Sequence, residues 1–285
     1  MPIQASAATA KAGPEGALAF GRRIAKNKRM THIDRGLLYA EACFETLRII
    51  DGAVFDWPAH EARLKRGLDA FGLPLPEGPL DRCLEAAERC RSDAIVRLTV
   101  TGGVAPWGLR PVQPACPGVY AQAKPFAPLP QPLRLVTLTW PFPLRQKIAK
   151  FTADYADTLR ATHMARVRDE MDVVICSKTN VYSGAYANIF MHRQSSWWTP
   201  EIGAGVLPGI VRKTIVAKGA AKEALCPLSW LDDCDAIALS NSGGFILPVG
   251  EVNGRVLAHD HTVYAPLIAS LLGKPGVPEV LPCVA

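Results

Sequence analysis

The sequence predicts an α/β protein of two domains, and three observations carry that prediction. Helical and strand-like periodicities alternate along most of the chain. A dense run of prolines interrupts them before the midpoint. Of the 285 residues, 49% are hydrophobic and 20% charged, at a mean hydropathy of +0.10, which is enough apolar surface for a large core. This composition excludes intrinsic disorder. Apolar runs such as Asp172 to Cys176 and Ala236 to Leu239 have strand length, so a membrane-spanning helix is not expected.

In chain order, residues 1 to about 18 are rich in Ala and Gly but lack the continuous apolar segment of a secretory signal, and read as a disordered extension. Apolar residues from Leu18 to Ala25 and from Thr46 to Phe55 lead into and out of Asp51-Gly52. That dipeptide favours a two-residue type I′ turn and predicts a hairpin. Ala62, Leu64, Leu68 and Phe71 recur at helical spacing over Ala59 to Phe71, and Gly72 and Pro74 stop the helix. A second helix is expected over Leu80 to Arg91, and a strand over Ala94 to Thr101 that Gly102-Gly103 ends.

Between Val112 and Pro132 stand prolines 114, 117, 125, 128, 130 and 132, which suit a linker better than a core element. Beyond it, strands at Leu133 to Thr139, Asp172 to Cys176, Ala187 to His192 and Asp235 to Leu239 alternate with helical Asp154 to Asp169 and Gly209 to Leu225. The expected division is an extension (1–18), an N-terminal α+β domain (19–122), a linker (123–132) and a C-terminal α/β domain (133–285).

The net charge of +6 is spread along the chain, with a local excess at Arg22, Arg23, Lys26, Lys28 and Arg29 that reads as a solvated segment rather than a nucleic-acid or membrane footprint. Cysteines 43, 83, 90, 116, 176, 226, 234 and 283 form no CxxC pair and no Cys/His metal spacing. They read as reduced thiols of a cytoplasmic protein. His259 and His261 flank Asp260 in a polar loop with no further ligand, so no metal is expected.

Two stretches carry chemistry. The first is Asp34-Arg35-Gly36-Leu37-Leu38-Tyr39, then Phe44-Glu45-Thr46-Leu47-Arg48 and, past the hairpin, His60-Glu61-Ala62-Arg63-Leu64. The second combines Ala149-Lys150 and Asp154-Tyr155 with Asn188-Ile189-Phe190, Thr199-Pro200, Val206 to Arg212 (VLPGIVR), and Ser240-Asn241-Ser242-Gly243 with Pro248-Val249. In order and spacing these resemble the fold-type IV pyridoxal-phosphate enzymes. That family, the class IV aminotransferases, includes branched-chain and D-amino-acid aminotransferases and 4-amino-4-deoxychorismate lyase. The likeness runs from about residue 18 to 260.

The resemblance implies a sandwich-like N-terminal α/β domain, a barrel-like C-terminal α/β domain, a site between them, and a homodimer. It also implies pyridoxal 5′-phosphate as cofactor, with a small amino acid and a 2-oxo acid as substrates. A phosphate needs a cation and several N–H donors, which Arg63, the Gly209-Ile210-Val211 turn and Ser242-Gly243 can supply. An aldehyde cofactor needs an amine that is neutral part of the time. Lys150 stands at the family's spacing before Asp154-Tyr155, with Lys147 as a rival. By the same likeness, Tyr155 bonds the cofactor's phenolic oxygen, and Tyr39, Phe44 and Arg97 occupy substrate positions.

Four departures from the family pattern stand out, one of them the extended N-terminus. Ser183 occupies the place of a glutamate that faces the pyridine nitrogen in the family, and Glu170 or Asp172 could supply the missing carboxylate. Ala40-Glu41-Ala42 replaces Gly-Asp-Gly, and Asn180 replaces a turn glycine, a change tolerable in a left-handed conformation. Ser183 keeps two alternatives open beside the aminotransferase: a lyase of the deoxychorismate type, and a scaffold that has lost the chemistry.

Overall fold

The computed structural model describes residues 32–90, 92–111, 113–141, 144–167, 171–257 and 261–281. The expected extension, the strand at Leu18 to Ala25, the basic segment, Glu170, His259, Asp260 and Cys283 lie outside the described residues. In the N-terminal half, β1 (His32–Asp34) leads into α1 (Arg35–Tyr39), whose first N–H groups Asp34 caps by accepting from the Gly36 N–H at 2.7 Å. There follow β2 (Ala42–Ile50), β3 (Ala53–Val54), α2 (Trp57–Phe71), α3 (Pro79–Ala87), β4 (Asp93–Thr101), β5 (Val104–Pro106) and β6 (Gly118–Pro125). The β2–β3 turn has positive φ at both Asp51 (46°) and Gly52 (78°), as a type I′ hairpin requires.

Strands β3-β2-β4-β6 form a four-stranded antiparallel sheet, and β1 pairs separately with β5. Strand alternation divides β2 into two working faces. Cys43, Leu47 and Ile49 join Leu64 and Leu68 of α2 in one core, with Glu45 on the same face reaching His60 and Arg63. Phe44 and Arg48 point the other way, toward the second half of the chain. The first three residues of the expected linker, 123–125, complete an edge strand: β6 tolerates its proline because Pro125 is the last residue of the ladder.

The second half contains β7 (Leu133–Thr139), α4 (Tyr155–Val167), β8 (Asp172–Cys176), β9 (Val181–Gly184), β10 (Asn188–Arg193), β11 (Ser196–Pro200), α5 (Ile210–Ala217), β12 (Lys222–Ala224), α6 (Trp230–Asp233), β13 (Ala236–Asn241), β14 (Phe245–Val252), β15 (Arg255–Val256) and α7 (Ala265–Ala269). The strand order is β12-β11-β10-β13-β14-β7-β8-β9, with β15 on β14. The sheet curls back on itself: the Val181 N–H donates to Cys226 O and the Leu228 N–H to Thr179 O, at 2.8 and 2.7 Å. Its concave face holds Leu135, Val174, Ile189, Ile237, Leu239 and Val249, and alternate residues Phe190, Ala236 and Ala238 pack outward on α5 and α7.

The predicted helix over Gly209 to Leu225 stops at Ala217, where Gly219 enters the left-handed region (φ 71°) and the chain turns into β12. Asn180 keeps a negative φ, whereas Ala40 takes the left-handed conformation (φ 53°) at the end of α1. Among the described residues no helix is long and apolar enough to cross a membrane.

Candidate active site

A cavity opens where the outward face of β2 meets the curled sheet. Its walls carry Phe44, Arg63, Lys150, Tyr155, Ser183 and Ser242, together with the α5 entry Gly209-Ile210-Val211. Lys150 is carried by a loop stitched to β2: the Phe44 N–H donates to Lys150 O at 3.0 Å, and Cys43 bridges Phe151. The Lys150 Nζ lies 5.2 Å from the Phe44 ring centre. Burial, with a contribution from the Arg63 and Arg97 cations, lowers its pKa to about 8 against the opposing pull of Glu45. The rival Lys147 lines the same cavity, toward Asp154.

Tyr155 opens α4 and leans on Phe44, ring centres 4.6 Å apart; its hydroxyl accepts from Arg97 Nη1 at 2.9 Å. The Arg97 guanidinium stacks 3.8 Å from the Phe44 ring centre. Arg97 therefore stands behind Phe44 and Tyr155 rather than on the cavity wall. Tyr39 is not brought to this cavity; its hydroxyl accepts from the Gly108 N–H at 2.9 Å.

Arg63 is buried, and its fork is already engaged. Nε and Nη2 donate to the two carboxylate oxygens of Glu45, at 2.8 and 2.6 Å, and Nη1 donates to Pro208 O at 2.8 Å. Three of five N–H groups are thereby used, leaving one each on Nη1 and Nη2. Burial pushes Glu45 up, but the Arg63 charge and hydrogen bonds, with those of His60, outweigh it and hold the carboxyl at about 2. Glu45 and His60 were within reach of the sequence, inside the quoted FETLR and HEARL stretches, but no spacing argument marks a buried pairing between a strand and the helix that follows its hairpin.

The α5 entry works through space as much as through donors. A Cβ on Gly209 would sit 1.9 Å from Asn188 Oδ1, and Asn188 itself donates to Leu207 O at 3.0 Å. The Gly209 N–H goes to Leu207 O, and no side chain caps the helix, so the donors for a ligand are those of Ile210 and Val211. In the β13–β14 turn, Ser242 faces the cavity. The Gly243 N–H does not: with that of Gly244 it donates to Asn241 Oδ1, both at 2.9 Å, which corrects the expectation that Gly243 offers a free donor. Ser240 Oγ is buried beside the cavity with no hydrogen-bond partner.

On the β9 wall, Ser183 pairs with Ile175 and Gly184 with Val174. Alternation puts Asp172 on the face of Val174 and Gly184, opposite Ser183, so Asp172 does not take the place of a carboxylate there. Its Oδ1 accepts from the Val173 and Ala185 N–H groups, Oδ2 has no partner, and burial raises its pKa to about 7.

Comparison with known proteins identifies the fold and the family. The "Putative branched-chain-amino-acid aminotransferase" of Methanocaldococcus jannaschii is 28% identical over 248 residues, covering 81% of this chain and 85% of that protein. Branched-chain amino acid aminotransferase from Escherichia coli superposes with a TM-score of 0.73 at 20% identity, over 83% of this chain and 85% of the other. The "Putative 4-amino-4-deoxychorismate lyase" of Legionella pneumophila gives 0.72 at 22% identity, over 83% and 91%. These two structures share the fold. The family model for class IV amino-transferases matches residues 42–252, from the start of β2 to the end of β14, and the chain belongs to that family.

Proposed function

We propose that the protein is a pyridoxal-phosphate-dependent aminotransferase that moves an amino group between a small amino acid and a 2-oxo acid. The observation that carries this reading is the Lys150 amine, enclosed in the cavity with its pKa lowered to about 8, beside a set of phosphate donors. The residues fit the cofactor: the α5 N-terminus has no capping side chain, Ser240 Oγ lacks a partner, and Arg63 keeps two N–H groups free. Arg63, Ile210, Val211 and Ser242 would hold the phosphate, Tyr155 the phenolic oxygen and Lys150 the aldehyde carbon. When bound, pyridoxal phosphate supplies an electrophilic aldehyde and a ring that accepts electrons from the substrate's α-carbon.

Lys150, half neutral near pH 8, can take a proton at Nζ and return it. Phe44 and Tyr155 give that amine an apolar wall, and the Arg97 guanidinium fixes the Tyr155 hydroxyl. A homodimer belongs to this reading. Leu37, Val104, Trp107 and Leu109 are exposed around α1 and β5, an apolar surface suited to a second copy. A substrate role for Tyr39, on the same surface, requires that copy. A cytoplasmic location is inferred from free thiols at the seven described cysteines.

The neutral β9 wall supports a second reading, the lyase, because Ser183 offers a ring nitrogen no anion and Asp172 lies on the opposite face. The test is a screen of amino acids with and without 2-oxo acids, read by product analysis. Amino-group transfer that needs the 2-oxo acid supports the aminotransferase; substrate cleavage without an acceptor supports the lyase. Protein that acquires no visible absorbance with pyridoxal phosphate defeats both.

A further inference from the structure

Glu45, His60 and Ser242 form a chain that leads from the buried face of β2 to the cavity. Glu45 Oε2 lies 2.7 Å from His60 Nδ1, and His60 Nε2 lies 3.5 Å from Ser242 Oγ. Glu45 and His60 are 0% and 1% exposed. Held ionised by the Arg63 fork, the Glu45 carboxylate can only accept, so Nδ1 carries the imidazole proton and Nε2 is a bare lone pair. Ser242 then donates its hydroxyl proton to Nε2 and presents only lone pairs to the cavity, the wrong polarity for a phosphate.

We propose that His60 couples binding of a phosphate dianion at Ser242 to uptake of one proton from solvent. This rests on the cavity being a phosphate site. The proton adds to Nε2, the imidazolium donates to Ser242 Oγ, and the serine hydroxyl turns to donate to the phosphate. An N–H bond forms at Nε2 with a proton given up by solvent or buffer, and no bond between heavy atoms forms or breaks. His60 is thus a positioning residue that sets the direction of the Ser242 hydroxyl.

The charges facing His60 are Glu45 on β2, Arg63 on its own helix and Lys150 on the loop, with Ser242 as the polar group of the β13–β14 turn. Burial first, then Arg63 and Lys150, hold the imidazole below its usual pKa, against the pull of Glu45. A dianion reverses that local balance. Affinity for it then falls with rising pH, by up to about tenfold per unit for one linked proton.

The test is calorimetric titration of the full-length chain, freed of bound small molecules, with phenyl phosphate at about pH 7.5, where a phosphate monoester is mostly dianionic. Two buffers of different ionisation heat report the protons taken up. His60→Gln places a permanent N–H near the Nε2 position and cannot titrate. It should bind within about threefold of wild type while taking up between about half and one proton fewer. Lys150 also takes up some proton as the dianion binds, and less of it beside a charged His60, so the difference between the two proteins is a lower bound on the uptake at His60. Equal uptake in the two overturns the proposal while leaving the phosphate site standing; binding by neither overturns both. In wild type, ¹⁵N-histidine spectra should show one ring shifting from the Nδ1–H tautomer to the doubly protonated form on adding phenyl phosphate. His60→Asn, which keeps a donor toward Glu45, assigns that ring if His60→Gln does not fold. A ring that stays neutral in the bound state refutes the coupling.

Discussion

Replacing Glu45 by Gln probes the joint between the two halves of the site. Glu45 is 0% exposed and takes two hydrogen bonds from Arg63 and one from His60. A Gln keeps the shape but turns one acceptor into a donor that faces N–H groups, and leaves the Arg63 charge buried without its counterion. The carboxyl pKa falls from 4.5 to about 2, which at about 1.36 kcal/mol per unit corresponds to about 3 kcal/mol of stability. Breaking a buried pair from one side costs about 3 to 5 kcal/mol in general, so the two routes agree. Because the folded pKa is depressed, the contribution is present above about pH 4.5 and is lost as pH falls toward 2. Urea unfolding should therefore show Glu45→Gln about 3 kcal/mol less stable near neutral pH, with the gap narrowing in acid. A neutral-pH loss under about 1 kcal/mol, or a gap indifferent to acid, would refute the reasoning.

Asp172 has the opposite sign: burial raises its pKa from 3.8 to about 7, so stability is full below about pH 4 and declines as pH rises through 7. Asp172→Asn should gain on wild type by about 2 to 3 kcal/mol between pH 5 and 8, measured by urea unfolding, and a pH-independent difference would count against an ionising carboxyl. Ala40→Gly relieves a left-handed alanine at φ 53° and should raise stability by about 1 kcal/mol; no rise in the unfolding midpoint would contradict that strain. Ser183→Glu should speed the half-reaction with an amino donor by about 10- to 150-fold if an anion at that wall protonates the ring nitrogen. Normal cofactor binding without a gain in single-turnover rate would sink that role for position 183.

The parts of the fold that were legible in the sequence are those set by local chemistry. Asp51-Gly52 specifies its own turn, Gly72 its helix end, and the β4 run its alternation. The edge strand β6 was hidden because prolines around it suggested a linker, while its pairing with β4 is a tertiary contact. The α5 helix was overextended because Lys222 to Ala224 pairs in parallel with β11, which no local pattern announces. Within the site, Lys150, Tyr155, Ser183 and the α5 entry were legible through motif order, and the cavity brings them together. The engagement of the Arg63 fork by Glu45 and of the Gly243 N–H by Asn241 was not, because hydrogen-bond competition is decided only when the partners meet in space.

The central claim is that Lys150 is the amine that carries the cofactor. The direct measurement is to incubate the protein with pyridoxal phosphate, reduce with borohydride so that the linkage becomes permanent, and map the modified peptide by mass spectrometry. The account predicts a single stoichiometric label on Lys150, lost in Lys150→Ala while Lys147→Ala keeps it. A label on Lys147, or none on either residue, would contradict it.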